Sequence, residues 1–186
     1  MDKRKLTISL FALAIIAGLM ALTSCSRSSD ACATQYCQNG GTCANGTCSC
    51  PGNFTGQHCD SCRGGYEGSD CNTLSRAKFI YQNYTVSESV SGSASGSRSY
   101  TASVLVSPSQ YDQVYLSHLS NSFFLNSVTA TCRGNNLTVP LQQPDAPTRQ
   151  YISGSGSYAS GVLSIQYTIV DSTNGNSYTC SGTWTR

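Results

Sequence analysis

Residues 161–186 read GVLSIQYTIVDSTNGNSYTCSGTWTR. Leu163, Ile165, Tyr167 and Ile169 alternate with Ser164, Gln166 and Thr168. After the turn-forming run DSTNGN, Tyr178, Cys180 and Trp184 alternate with Thr179, Ser181 and Thr183. A helix would repeat its apolar residues every three or four positions; a period of two belongs to a strand with one buried and one wet face. The same phase returns upstream in Tyr100, Ala102, Val104 and Val106, and again in Val128, Ala130 and Cys132.

Eight candidate strands follow: 78–87, 99–107, 113–119, 127–133, 137–141, 150–157, 161–170 and 177–185. Between them lie SGSASGSR, SPSQYD, RGNN, QPDAPT and YASG, runs rich in turn formers. The expected fold of residues 76–186 is therefore an all-β antiparallel meander closed into a small eight-stranded barrel. A β-sandwich is the alternative, because periodicity alone fits both.

The first residues have a different character. MDKRK is basic, LTISLFALAIIAGLMAL is apolar, and TSC follows, which is the order of an export signal. Leu22-Thr23-Ser24-Cys25 resembles the lipobox of bacterial lipoproteins. The resemblance implies loss of residues 1–24, acylation of Cys25 (palmitate among the acyl groups) and attachment to a membrane without spanning it. Residues 25–31 are then a lipidated tether. Ser26 stands where an aspartate would signal inner-membrane retention in that family, so the outer membrane is expected, with either a periplasmic or a surface facing.

Three of the 11 basic residues and one of the 9 acidic residues lie in the signal, which leaves the remainder balanced at eight of each. No basic stripe is left to neutralise phosphates, so nucleic acid is not an expected partner.

Residues 32–71 hold eight of the 11 cysteines. The first six are spaced Cys32-x4-Cys37-x5-Cys43-x4-Cys48-x-Cys50-x8-Cys59, and Cys59-x2-Cys62 is the only C-x2-C. Zinc sites of the finger and ribbon type use paired C-x2-C turns, and an exported chain meets an oxidising compartment. No metal ligand set and no cofactor is expected. A module of about forty residues has too little core to fold without cross-links.

The spacing, with NGGTC after the second cysteine, the CSC pair and GNFTGQHC before the sixth, resembles an EGF-like domain. That resemblance implies the pairs Cys32–Cys43, Cys37–Cys48 and Cys50–Cys59. In CRGGYEGSDC the Gly-aromatic-x-Gly run recurs, which is similar to the extra loop of laminin-type modules and implies Cys62–Cys71. The calcium-binding version of the module needs an acidic triplet before its first cysteine, and only Asp30 is present.

Cys132 and Cys180 remain. Parity in an oxidising compartment favours a bridge between them, while other strands intervene and facing barrel walls can stand beyond the ~7 Å Cα limit of a disulfide. Two buried thiols are the alternative.

His58 and His118 are the only histidines, and neither sits in a nucleophile motif such as G-x-S-x-G. No catalytic residue is assigned. Asp171-Ser172-Thr173 is similar to the short O-glycosylation signal of Bacteroidota, which points to Ser172. The region from RAKFIYQNYTVSES to YTCSGTWTR resembles the C-terminal domain of small lipoproteins of the same bacteria. That domain is sometimes likened to lipocalins and carries no known activity.

The expected function is thus a non-enzymatic, lipid-anchored envelope protein in which the β-domain binds a protein or glycan partner or serves a structural role. A carrier enclosing a small apolar ligand among Tyr100, Val104, Ile165 and Trp184 is the alternative, and an envelope enzyme is the third reading.

Overall fold

The computed structural model describes residues 31–186. The signal segment, Cys25 and most of the tether lie outside the described residues.

Residues 32–74 carry six very short strands that pair in sequence. β1 (Thr42–Ala44) pairs with β2 (Thr47–Ser49), β3 (Phe54–Thr55) with β4 (Ser61–Cys62), and β5 (Tyr66–Glu67) with β6 (Thr73–Leu74). Such ladders are far too short to hold themselves together. Four disulfides do so: Cys32–Cys43, Cys37–Cys48, Cys50–Cys59 and Cys62–Cys71, with Cα separations of 5.8, 5.7, 5.3 and 5.3 Å. These are the partners implied by the resemblance to EGF-like and laminin-type modules. Gly41 shows how tightly the chain is drawn in, because a Cβ there would meet the Sγ of Cys59 at 2.7 Å.

A 3₁₀ turn, Ser75–Lys78, leads into β7 (Tyr81–Gly92), β8 (Gly96–Val106), β9 (Gln113–Ser117), β10 (Val128–Arg133), β11 (Asn136–Gln142), β12 (Gln150–Ala159), β13 (Val162–Asp171) and β14 (Asn176–Thr185). Each pairs antiparallel with the next, and β14 returns to β7, so the meander closes into an eight-stranded barrel. The sandwich alternative is set aside by that last pairing, which leaves the barrel without a free edge.

The inward phase is the one read from the sequence. Ala102, Val104, Val128, Ala130, Leu163, Ile165, Tyr167, Ile169 and Trp184 are buried. Val106, in the same phase, is exposed, because β8 carries it past the last interior layer onto the rim. The SGSASGSR run, expected as a loop, is mostly strand: β7 and β8 extend into it and leave residues 93–95 as the turn. Serine pairs in a ladder as well as any residue, so composition masked the hairpin.

Closure demands strong local curvature, and β12 supplies it by presenting glycine to the interior. A Cβ on Gly154 would meet the carbonyl oxygen of Gln166 at 2.4 Å and the Cβ of Tyr167 at 2.6 Å; one on Gly156 would meet the carbonyl of Ser164 at 2.6 Å. The β13 side chains fold over this bare stretch of β12.

The disulfide-rich region is fastened to one end of the barrel, here the near end. The Arg76 Nη1 donates to the carbonyls of Ser107 and Gln110, at 2.7 and 2.6 Å. Lys78 pairs with Glu67 at 2.7 Å and donates to the Oδ1 of Asn135 at 2.9 Å. The Tyr66 and Tyr111 rings meet with centroids 5.9 Å apart.

Candidate functional site

The barrel interior is a packed core with one polar cluster in it. Glu88 on β7 points inward with its side chain 1% exposed. Its carboxylate accepts from the Nε of Arg98 at 3.0 Å, from the hydroxyl of Tyr100 at 3.0 Å, and from the hydroxyl of Tyr167. The Nη2 of Arg98 lies 3.7 Å from the Sγ of Cys180. Burial is the main influence on these groups. It raises the hydroxyls of Tyr100 and Tyr167 well above the ordinary phenol range, reinforced at Tyr100 by the Glu88 charge and at Tyr167 by Tyr100 and Glu88, and it raises the Cys180 thiol.

This cluster lies beneath the segment joining β9 to β10 at the far end of the barrel. His118, Ser120, Asn121 and Ser122 all have φ between 56° and 62° and form a left-handed turn. That conformation costs an L-residue roughly 1–2 kcal/mol, with asparagine paying least. The turn drives Leu119, Ser120 and Phe124 into the barrel mouth, where they are buried. The Ser120 amide donates to the hydroxyl of Tyr100 at 3.1 Å, and its Oγ accepts from the Nη2 of Arg98. The far root of the segment is pinned by buried Asp145, which accepts from the amides of Leu125 and Asn126 at 2.7 and 2.8 Å.

The second feature is on the outside. An open groove of 1260 Å³ crosses β11, β12, β13, β14, β7 and β8, from Asn136 by the near end to Ser97 by the far-end turn. Its outward positions are Asn136 and Thr138, Ser155 and Ser157, Ser164 and Gln166, Ser181 and Thr183, Ser87 and Ser89, and Ser97 and Ser99. The alternating inward residues, such as Leu137, Glu88 and Ile165, are buried, so the open space lies on the outer face. Strand twist gives a barrel a hyperboloid wall, and side chains as small as serine leave that concave wall open. Every one of the twelve outward groups is a neutral hydroxyl or amide, able both to donate and to accept.

The residues expected to line an apolar cavity lie in the barrel's buried core, apart from the partly buried Tyr100 packed against it. Val104 and Trp184 are fully buried, Ile165 is 2% exposed, and Tyr100 spends its hydroxyl on Glu88.

The Cys132–Cys180 bridge is a correction: both are buried free thiols. β10 and β14 are separated by three strands in either direction around the ring, so the two cysteines stand on opposite walls. His58 accepts from or donates to neighbours within the disulfide-rich region, with its Nδ1 2.9 Å from the carbonyl of Tyr36. His118 is exposed at the start of the left-handed turn. The structure does not bring the two histidines together. Ser172 is exposed in the β13–β14 turn, and its Oγ donates to the carbonyl of Arg149 at 3.0 Å. Among the described residues no group of histidine, cysteine and carboxylate side chains is placed to hold a metal ion.

The Glu88–Arg98 pair was not singled out from the sequence, although a signal exists. Glu88 continues the inward phase of Tyr84 and Val86, and Arg98 precedes Tyr100 in the inward phase of β8. Opposite charges facing inward on both sides of one hairpin imply an internal pair.

No family model and no curated protein matches the chain. Among solved structures, a structural-genomics crystal structure of unknown function from Bacteroides ovatus is similar over 55% of this chain and 40% of that one, with 13% identity and a TM-score of 0.39. The chain thus spans less than half the length of that neighbour.

Proposed function

We propose that this chain is a non-catalytic, lipid-anchored protein of the bacterial envelope, in which an EGF-like module carries a barrel that binds neutral, hydroxyl-rich polymer along its outer groove. The groove carries the reading. Its twelve outward positions are uncharged, the Glu88 and Arg98 charges in its floor neutralise each other, and it holds no aromatic platform. Recognition must come from many hydrogen bonds, each contributing about 0.5–1.5 kcal/mol net. Such a surface holds a single sugar weakly and an extended glycan through multivalency, which suits a protein displayed in many copies on a membrane. The groove's chemistry favours glycan over a charged or apolar partner.

The anchor is proposed from the Leu22-Thr23-Ser24-Cys25 pattern. Metabolic labelling with a palmitate analogue should mark the natural protein and not Cys25→Ser. For the groove, the test is affinity electrophoresis of the protein lacking residues 1–25 through gels containing neutral envelope polysaccharide. Mobility should fall with polysaccharide concentration, and a Ser87→Asp, Ser181→Asp, Ser164→Asp variant should run unretarded while keeping its β-sheet circular dichroism. Equal retardation of both proteins would remove the groove reading.

A further inference from the structure

Ser120 makes an unusual pair of contacts for a loop residue. Its amide donates to the Tyr100 hydroxyl, and its Oγ accepts from Arg98, at the base of a mouth that Leu119 and Phe124 otherwise fill. The loop reaches this position only by holding four non-glycine residues in the left-handed region. A loop serving merely to join β9 and β10 has no need to dip into the barrel. The Asp145 anchor is at Leu125 and Asn126, beyond the inserted part, so the insertion can lift while its root stays fixed.

We propose that the far mouth of the barrel is a closed ligand site, and that the segment Leu119–Phe124 is its internal occupant, displaced by a small neutral amphipathic alcohol or amide. The groups that Ser120 satisfies define the ligand. With the loop lifted, the Nη2 of Arg98 needs an acceptor. The Tyr100 hydroxyl gives its proton to Glu88, so its free lone pair needs a donor. One hydroxyl or amide group supplies both. A carboxylate or phosphate supplies no donor and would face the charge of Glu88, which already neutralises Arg98 at 3.0 Å. The volume left by Leu119 and Phe124 takes an apolar body. This site is entered from the far mouth, between Leu119 and Phe124, and does not depend on the glycan reading.

The test uses 1-octanol as the neutral probe and octanoate as its anionic counterpart, measured by titration calorimetry on the chain lacking residues 1–25. In one variant residues 119–124 are replaced by alternating glycine and serine. Octanol should bind that opened variant at least tenfold more tightly than the natural chain, and at least tenfold more tightly than octanoate binds it. Tyr100→Phe in the opened variant should weaken octanol severalfold. Equal octanol affinity for both chains, or octanoate binding as tightly as octanol, would overturn the proposal.

A second measurement on the natural chain stands if the opened variant does not fold. Cys180 lies beneath the plug beside Arg98, whereas Cys132 lies on the opposite wall. Methyl methanethiosulfonate should modify Cys180 at least tenfold faster than Cys132 under folding conditions. Equal rates would mean that the mouth opens only when the whole barrel does.

Discussion

The two regions of this molecule solve the same shortage of core in opposite ways. Residues 32–74 bury almost nothing except Cys59 and Cys71 and are drawn together by four covalent links, each spanning 9 to 11 residues. The barrel has no disulfide and depends on a closed ladder around a packed interior, with strand pairs reaching from β7 to β14 across about ninety residues. One region is stabilised chiefly by limiting the unfolded chain, the other by burial and hydrogen bonding in the folded one. They should therefore fail under different conditions.

Reduction should produce the largest divergence. Under a thiol reductant at neutral pH, residues 32–74 should become fully susceptible to protease while the barrel keeps its thermal transition, as read by mass spectrometry and circular dichroism. Loss of both together would show that the barrel borrows its stability from the module. Gly154→Val should do the reverse: a side chain with no room against the Gln166 carbonyl should destabilise the barrel by about 3 kcal/mol in denaturant titration, leaving the disulfide pairing intact.

Alkaline pH should also act on the barrel alone. Burial, aided by Asp112, pushes the Cys132 thiol from 9.0 up to about 12. Above pH 9 the unfolded chain releases a proton that the folded chain retains, so stability falls as pH rises from about 9 to 12, by up to about 1.4 kcal/mol per pH unit for this thiol. Cys132→Ala should make that slope shallower in denaturation curves taken at successive pH values, leaving the part due to Cys180, Tyr100 and Tyr167. The smallest effect belongs to the junction. Arg76→Ala, which removes the donors to Ser107 and Gln110, should lower the free energy of local opening there by about 1 kcal/mol, seen as faster amide exchange at residues 107–113 without a change in either region's own transition.

How much was legible in the sequence differs between the regions for a physical reason. The cysteine spacing is a local pattern that marks the cross-linked region, and the pairs implied by its resemblance to EGF-like and laminin-type modules are the pairs present. Alternation likewise exposed the strands and their inward face, because a buried phase must be apolar nearly everywhere. Where the phase was broken by polarity, legibility failed: Glu88 and Arg98 sit in serine-rich stretches that resemble a loop, and their partnership shows only when that stretch is taken as a hairpin with both charges facing inward. The left-handed turn left no trace either, since Ser120, Asn121 and Ser122 are ordinary loop residues whose backbone is fixed by what lies beneath them. Val106 shows the limit of phase itself, which tells the direction of a side chain and not whether the barrel extends far enough to cover it.

The return of β14 to β7 also sets an order of events. While the chain is being made, β7 through β13 can pair only as an open sheet with two bare edges, each a template for another chain. That hazard lasts until Asn176–Thr185 arrives to join both edges at once. A stall or truncation within the last ten strand residues would thus leave nearly all of the barrel built and none of it sealed, which makes the C-terminal strand the point at which assembly and aggregation part ways.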